Sequence, residues 1–163
     1  MLKDELLEFG NLYEEMRKEV LRIIEEIEPK LKDITDATIL HSLKTRDFYW
    51  KHDLSTILGL SKKYGVDVSK LNEIWKKYVD FEQKISEKKK DFEKLGLKHV
   101  TIGPKSVTGF GDKNSQVCIC IDIKRNKLDI DIHPKFGDEI EEKEFKRFAS
   151  RLKDKIKKLL KAK

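Results

Sequence analysis

From Leu2 to Ile27 the apolar residues recur at alternating spacings of four and three: Leu2, Leu6, Phe9, Tyr13, Met16, Val20, Ile23 and Ile27. That is a heptad seam on one long helix. Leu7, Leu21 and Ile24 widen the stripe, which favours a helical bundle over a lone two-stranded coil. Pro29 ends the pattern, because proline lacks a donor and disfavours helix in the residue before it. A long helix with such a seam needs a partner surface, so the seam implies a protein partner or a second copy of the chain, a homo-oligomeric coiled-coil or bundle.

Shorter helical stripes follow. Ile34, Ala37, Leu40 and Leu43 predict a second helix over about residues 35–44. Leu54, Ile57, Leu58 and Leu60 predict a third over about 48–64, closed by Gly65 in a left-handed cap. Ser69, with Glu73 as a near match to a capping pair, is placed to open a fourth helix. That helix carries Leu71, Ile74, Trp75, Tyr78, Phe81, Ile85 and Phe92 and ends near Gly96.

After Gly96 the period changes to two. Residues 99–102 read as a short strand, and residues 103–114, with Pro104, Gly109 and Gly111, as a loop. Val117, Ile119, Ile121 and Ile123 alternate with Cys118, Cys120 and Asp122. Leu128, Ile130 and Ile132 alternate with Asp129, Asp131 and His133. Between them Lys124-Arg125-Asn126-Lys127 reads as a tight hairpin with Asn126 suited to positive φ. Pairing Lys124 with Lys127 would set Asp122 opposite Asp129, Cys120 opposite Asp131 and Cys118 opposite His133. Like charges directly opposite are unfavourable, so this face is a question for metal binding. A last helix over about 139–160 carries Phe145, Phe148, Leu152, Ile156 and Leu159.

The expected fold class is therefore α+β. An antiparallel bundle of about four helices (residues 1–95) precedes a small antiparallel three-stranded sheet packed by a basic C-terminal helix (residues 96–163).

Composition changes this picture in two ways. The 163 residues suffice for a core covering roughly two-thirds of the unfolded surface. Charged residues are 40% of the chain, at 36 basic against 30 acidic, and the net charge is +6. A basic balance favours polyanionic partners. Glutamine occurs only at Gln83 and Gln116 beside abundant Lys and Glu, a thermophile-like composition. Two cysteines, Cys118 and Cys120, cannot complete a four-thiolate zinc site. An acidic N-terminus and the lack of an eighteen-residue apolar run predict no membrane partner and a cytoplasmic location. No resident metal or cofactor is expected.

The charge is concentrated. Between Lys143 and Lys163 there are ten Lys or Arg and two acids, Glu144 and Asp154. On a helical wheel Lys143, Arg147, Lys158 and Lys161 fall opposite the apolar stripe, with Arg151 beside them. Such a row can neutralise phosphates and release counterions. With no aromatic residue interleaved, it would contact the backbone without reading sequence. Acids at Asp138, Glu139, Glu141 and Glu142 followed by a lysine-rich end also suit the helix dipole. The helix–three-strand–helix order resembles that of double-stranded-RNA-binding domains, except that the start of the last helix is acidic.

Two further motifs overlap. Arg46-Asp47-Phe48-Tyr49-Trp50-Lys51-His52 resembles the arginine–spacer–histidine motif of the HEPN ribonucleases. The resemblance implies His52 as general base on a ribose hydroxyl and Arg46 as stabiliser of the scissile phosphate. One helix would hold them about 9 Å apart along its axis. The stretch His52-Asp53-Leu54-Ser55-Thr56-Ile57-Leu58 resembles the phospho-accepting box of sensor histidine kinases, which implies His52 as phosphoryl carrier and Asp53 as its base. The chain after residue 95 is too short for the ATP-binding domain of that family. The expected function is a non-enzymatic module binding nucleic-acid backbone or a nucleic-acid-associated complex. The alternatives are a HEPN-like, metal-independent ribonuclease or toxin and a protein-interaction or phosphotransfer module.

Overall fold

The computed structural model describes residues 1–45, 51–113, 115–134 and 141–162. Helix α1 runs Leu2–Ile27, and a 3-10 turn at Glu28–Lys30 takes Pro29 in its first turn. All eight seam residues are at most 5% exposed within the single chain. The expectation of a partner or second copy on this seam loses its ground, because the chain itself covers it.

Helix α2 spans Ile34–Thr45. Asp33 caps it, accepting the Asp36 N–H on Oδ1 at 2.8 Å, which satisfies a donor the first turn leaves open. Its inward residues are Asp36, Leu40 and Leu43, while Ile34 is 83% exposed and not part of the stripe. Helix α3 spans Lys51–Tyr64; its expected start near Phe48 lies outside the described residues. Gly65 follows with φ 68°, and the Val66 N–H bonds the Ser61 carbonyl at 2.9 Å, closing the helix as anticipated. Helix α4 spans Ser69–Ser86. The acceptor at its start is Asp67 rather than Ser69: both the backbone N–H and the hydroxyl of Ser69 donate to Asp67 Oδ1. The helix does not continue to residue 95. Tightened bonds from Glu87 to Lys84 and from Lys88 to Ile85 end it, and a separate short helix α5, Lys89–Glu93, sets Phe92 fully inside.

The chain forms two compact units: Met1–Asn11 with Asp80–Lys163, and Leu12–Val79. Gly96 lies inside the first of these units. The core of the helical unit holds Tyr13, Met16, Val20, Ile23, Leu40, Leu43, Ile57, Leu71 and Ile74.

The other unit contains a four-stranded open antiparallel sheet in sequence order: β1 Lys98–Ile102, β2 Ser106–Gly111, β3 Ser115–Asp122 and β4 Lys127–Pro134. Strand β2 occupies the stretch expected as a loop, and its glycines explain both the strand and the misreading. A Cβ at Gly109 would stand 3.4 Å from Val100 Cγ2, and one at Gly111 would stand 2.5 Å from Ser115 Oγ. Glycine sits in this strand because neighbours approach its backbone closely. With four strands, the likeness in order to double-stranded-RNA-binding domains is gone. Helix α6, Glu142–Lys161, packs beside β4, with Leu152, Ile156 and Leu160 buried. Val100, Val107, Val117 and Ile119 are buried on one face of the sheet.

The hairpin register also differs. Asp122 pairs with Lys127, Cys120 with Asp129, Cys118 with Asp131 and Gln116 with His133. The connection has four residues, because the Arg125 N–H donates to Asp122 Oδ1 at 3.1 Å and the Asn126 N–H to the Ile123 carbonyl at 3.3 Å. Asn126 takes φ 54°, as its residue type suggests. The slip of two positions keeps every side chain on its expected face and removes the Asp122–Asp129 opposition.

Candidate nucleic-acid interface

Helix α6 presents its charged side as the sequence requires. Lys143, Arg147, Arg151, Lys158 and Lys161 are all exposed. None of the five forms an ion pair with a described residue; the acids Glu142 and Glu144 are instead engaged by Lys146, at 3.0 Å, and by Lys113. Lys113 holds the Glu144 carboxyl below the usual carboxylate range through a hydrogen bond and its charge. Asp154 lies on the ridge between Arg151 and Lys158 and interrupts it.

The five cations do not all line one cleft. Lys143, Arg147 and Arg151 line a cleft of about 510 Å³ together with Lys113, Glu141, Glu144 and Phe148. Four cations there face two carboxylates. Lys158 and Lys161 line neither this cleft nor the one beside it. That second cleft, of about 200 Å³, shares Phe148 and Arg151 and adds Lys155, Asp112 and the Leu95–Leu97 turn.

Lys113 stands about thirty residues before α6 in the sequence, so no local pattern marks it. It sits in the β2–β3 turn with φ 55°. The Ser115 N–H and hydroxyl both donate to the Asp112 carbonyl, at 3.2 and 2.8 Å, fixing that turn. Periodicity places Phe148 in the apolar stripe; it is half-buried and forms part of both cleft walls. An aromatic surface therefore does stand beside the cations.

Arg46 lies outside the described residues. His52 is exposed on α3. Asp53, the base implied by the phospho-accepting resemblance, is 1% exposed and belongs to the buried side of α3. A phosphoryl donor in solvent could meet His52 but not Asp53. Among the described residues, no group of three or more His, Cys, Asp or Glu is arranged to hold a metal ion. No described helix is long and apolar enough to cross a membrane.

The chain matches no family model, no curated protein and no solved structure.

Proposed function

We propose that this protein is a non-enzymatic module that binds the phosphate backbone of a nucleic acid, alone or within a nucleic-acid-associated complex. One observation carries the reading: Lys143, Arg147 and Arg151, unpaired with any described acid, meet Lys113 in one cleft. Successive members of that helical row are about 6 Å apart along the axis, a spacing that lets neighbouring cations engage neighbouring phosphates. Guanidinium groups suit phosphate because their planar fork gives two parallel hydrogen bonds. Such contacts give affinity with little base preference.

The test is fluorescence anisotropy of the full chain with labelled single-stranded and duplex oligonucleotides over a range of salt. Log affinity should fall steeply with log salt. Arg147→Ala and Arg151→Ala should each reduce the slope by about one phosphate contact and weaken all sequences alike. Lys146→Ala, which removes a cation already paired with Glu142, should change the slope little. Binding that is indifferent to salt, or unaltered in both arginine variants, overturns the reading. Cleavage of the RNA, abolished by His52→Ala in a folded variant, would replace it with the ribonuclease alternative.

A further inference from the structure

The smaller cleft beside the cationic one has a different chemistry. Leu97 and Leu152, both buried, line it together with the half-buried Leu95 and Phe148. The turn between α5 and β1 puts the two leucines of that turn in place. The Leu95 N–H donates to the Phe92 carbonyl and the Gly96 N–H to the Glu93 carbonyl, each at 3.0 Å, and Gly96 reverses the chain at φ 92°. Gly111 of β2 lies against the same leucines. A Cβ there would stand 3.5 Å from Leu152 Cδ2 and 3.6 Å from Leu97 Cδ2, so a side chain would occupy the space that glycine leaves open. At about 200 Å³ the cleft falls below the range of about 300–1,000 Å³ that encloses a drug-sized ligand, which limits it to a single ring system.

Resting on the backbone-binding reading above, we propose that the two clefts form one site for single-stranded nucleic acid, with phosphates in the larger cleft and one unpaired base stacked on Phe148 in the smaller. Three features carry this. First, Phe148 and Arg151 line both clefts, so an apolar pocket and a cationic one share a wall. The base and the phosphate of a nucleotide flank one sugar in the same way. Second, Phe148, Arg151 and Lys155 follow one another at three and four residues and so stand on one side of α6. A flat ring and a flat guanidinium are both surfaces on which bases stack. Third, charge divides the roles. In the larger cleft Lys113 already engages Glu144, which leaves Lys143, Arg147 and Arg151 to phosphate. In the smaller cleft Asp112 faces only Arg151 and Lys155, and its carboxylate has no ion pair with a described residue. That cleft suits a neutral base better than an anion.

A base inside a duplex is already stacked and paired, and it must be extruded before it can enter such a pocket. The site therefore discriminates by strandedness and not by sequence, since every base has a π-face. Electrostatics alone would choose the opposite way, because a duplex has the higher charge density along its axis. An acidic peptide bearing one aromatic side chain is the competing occupant. The cations in steps of about 6 Å along α6 favour a strand over it, because a strand repeats its anion at every residue.

The experiment compares four labelled probes on the full chain by anisotropy: a short single strand, its duplex, an abasic strand of equal length built from tetrahydrofuran spacers, and a peptide of glutamate and phenylalanine. The intact single strand should bind about tenfold more tightly than the abasic strand and the duplex. Phe148→Leu, with its fold checked by circular dichroism, should lose about tenfold on the intact strand alone and keep the salt slope. Phe148→Tyr, which retains the ring, should bind like wild type. Equal, salt-dependent binding of strand, duplex and abasic strand overturns this proposal and leaves the backbone reading standing. Absence of salt-dependent binding to any of the three overturns both. A folded Phe148→Leu chain within twofold of wild type on the intact strand, or a preference for the peptide, also overturns the proposal. Should Phe148→Leu fail to fold, the wild-type comparison of intact and abasic strands still decides.

Discussion

Asp36 is the residue whose surroundings most exceed what its type suggests. It is 8% exposed, in a helix position where a carboxylate would normally face water. Its Oδ2 accepts hydrogen bonds from the Tyr64 hydroxyl at 2.5 Å and from Lys63 Nζ at 2.6 Å. Lys63 and Tyr64 together hold its carboxyl below the usual range, while Asp36 and burial push the Tyr64 phenol up. The signs follow from linkage. A depressed carboxyl contributes stability that is complete above the unfolded value, about 3.9, and lost as pH falls toward the lowered folded value. A raised phenol contributes stability that is complete below about 10 and lost as pH climbs through the folded value. Tyr64→Phe should therefore destabilise the chain most between these limits, with the difference from wild type shrinking at both acid and alkaline ends. Urea midpoints measured against pH would show it, and a difference constant with pH would refute the account. A comparable arrangement holds Glu19, 4% exposed, whose carboxylate meets the Arg22 guanidinium at 2.5 Å. Neither carboxylate is legible from periodicity, because burial of a charge depends on a partner distant in sequence or on another turn.

At the scale of elements, the two glycines inside long helices have opposite meanings. Glycine within a helix costs about 1 kcal/mol relative to alanine, so both look like weak points. A Cβ on Gly59 of α3 would meet nothing within 4 Å. Gly59→Ala should stabilise by about 0.5–1 kcal/mol. A Cβ on Gly10 of α1 would stand 2.9 Å from Ile123 Cγ2, 3.0 Å from Ile121 Cγ2 and 3.2 Å from the Pro104 carbonyl oxygen. There the overpacking penalty, about 1–3 kcal/mol, exceeds the propensity gain, and Gly10→Ala should lower stability. Thermal unfolding of the two variants side by side checks the pair of signs. The same contrast explains strand β2. Glycine and proline read as punctuation in an isolated segment, yet Gly109 and Gly111 are strand residues whose missing Cβ atoms let Val100 and Ser115 close in.

For the whole molecule the relevant quantity is where a net charge of +6 is placed. Among the described residues, α6 carries an exposed row of cations with no ion-pair partner, and Asp154 is an acid on that ridge. Asp154→Asn should raise affinity for an oligonucleotide by about two- to fivefold at low salt, with the gain fading as screening length shortens. The anisotropy titrations measure this, and a gain that persists at high salt would mean that Asp154 acts by contact and not through its field. The long α1 teaches the complementary lesson. Its unbroken heptad seam reads as an invitation to a second helix from another chain, yet residues of this one chain bury it to within 5% exposure.

The sequence by itself determined which segments are helix and which are strand for the strongly periodic stretches, the left-handed sites at Gly65 and Asn126, and the amphipathic division of α6. These are local properties, fixed by periodicity and by backbone freedom within a few residues. Tertiary structure decided the rest. The fourth strand, the hairpin register, the covering of α1, the buried carboxylates and the meeting of Lys113 with Arg147 and Arg151 all depend on pairs far apart along the chain. Their free energy comes from close packing, hydrogen bonds and charge across space, none of which a linear pattern encodes.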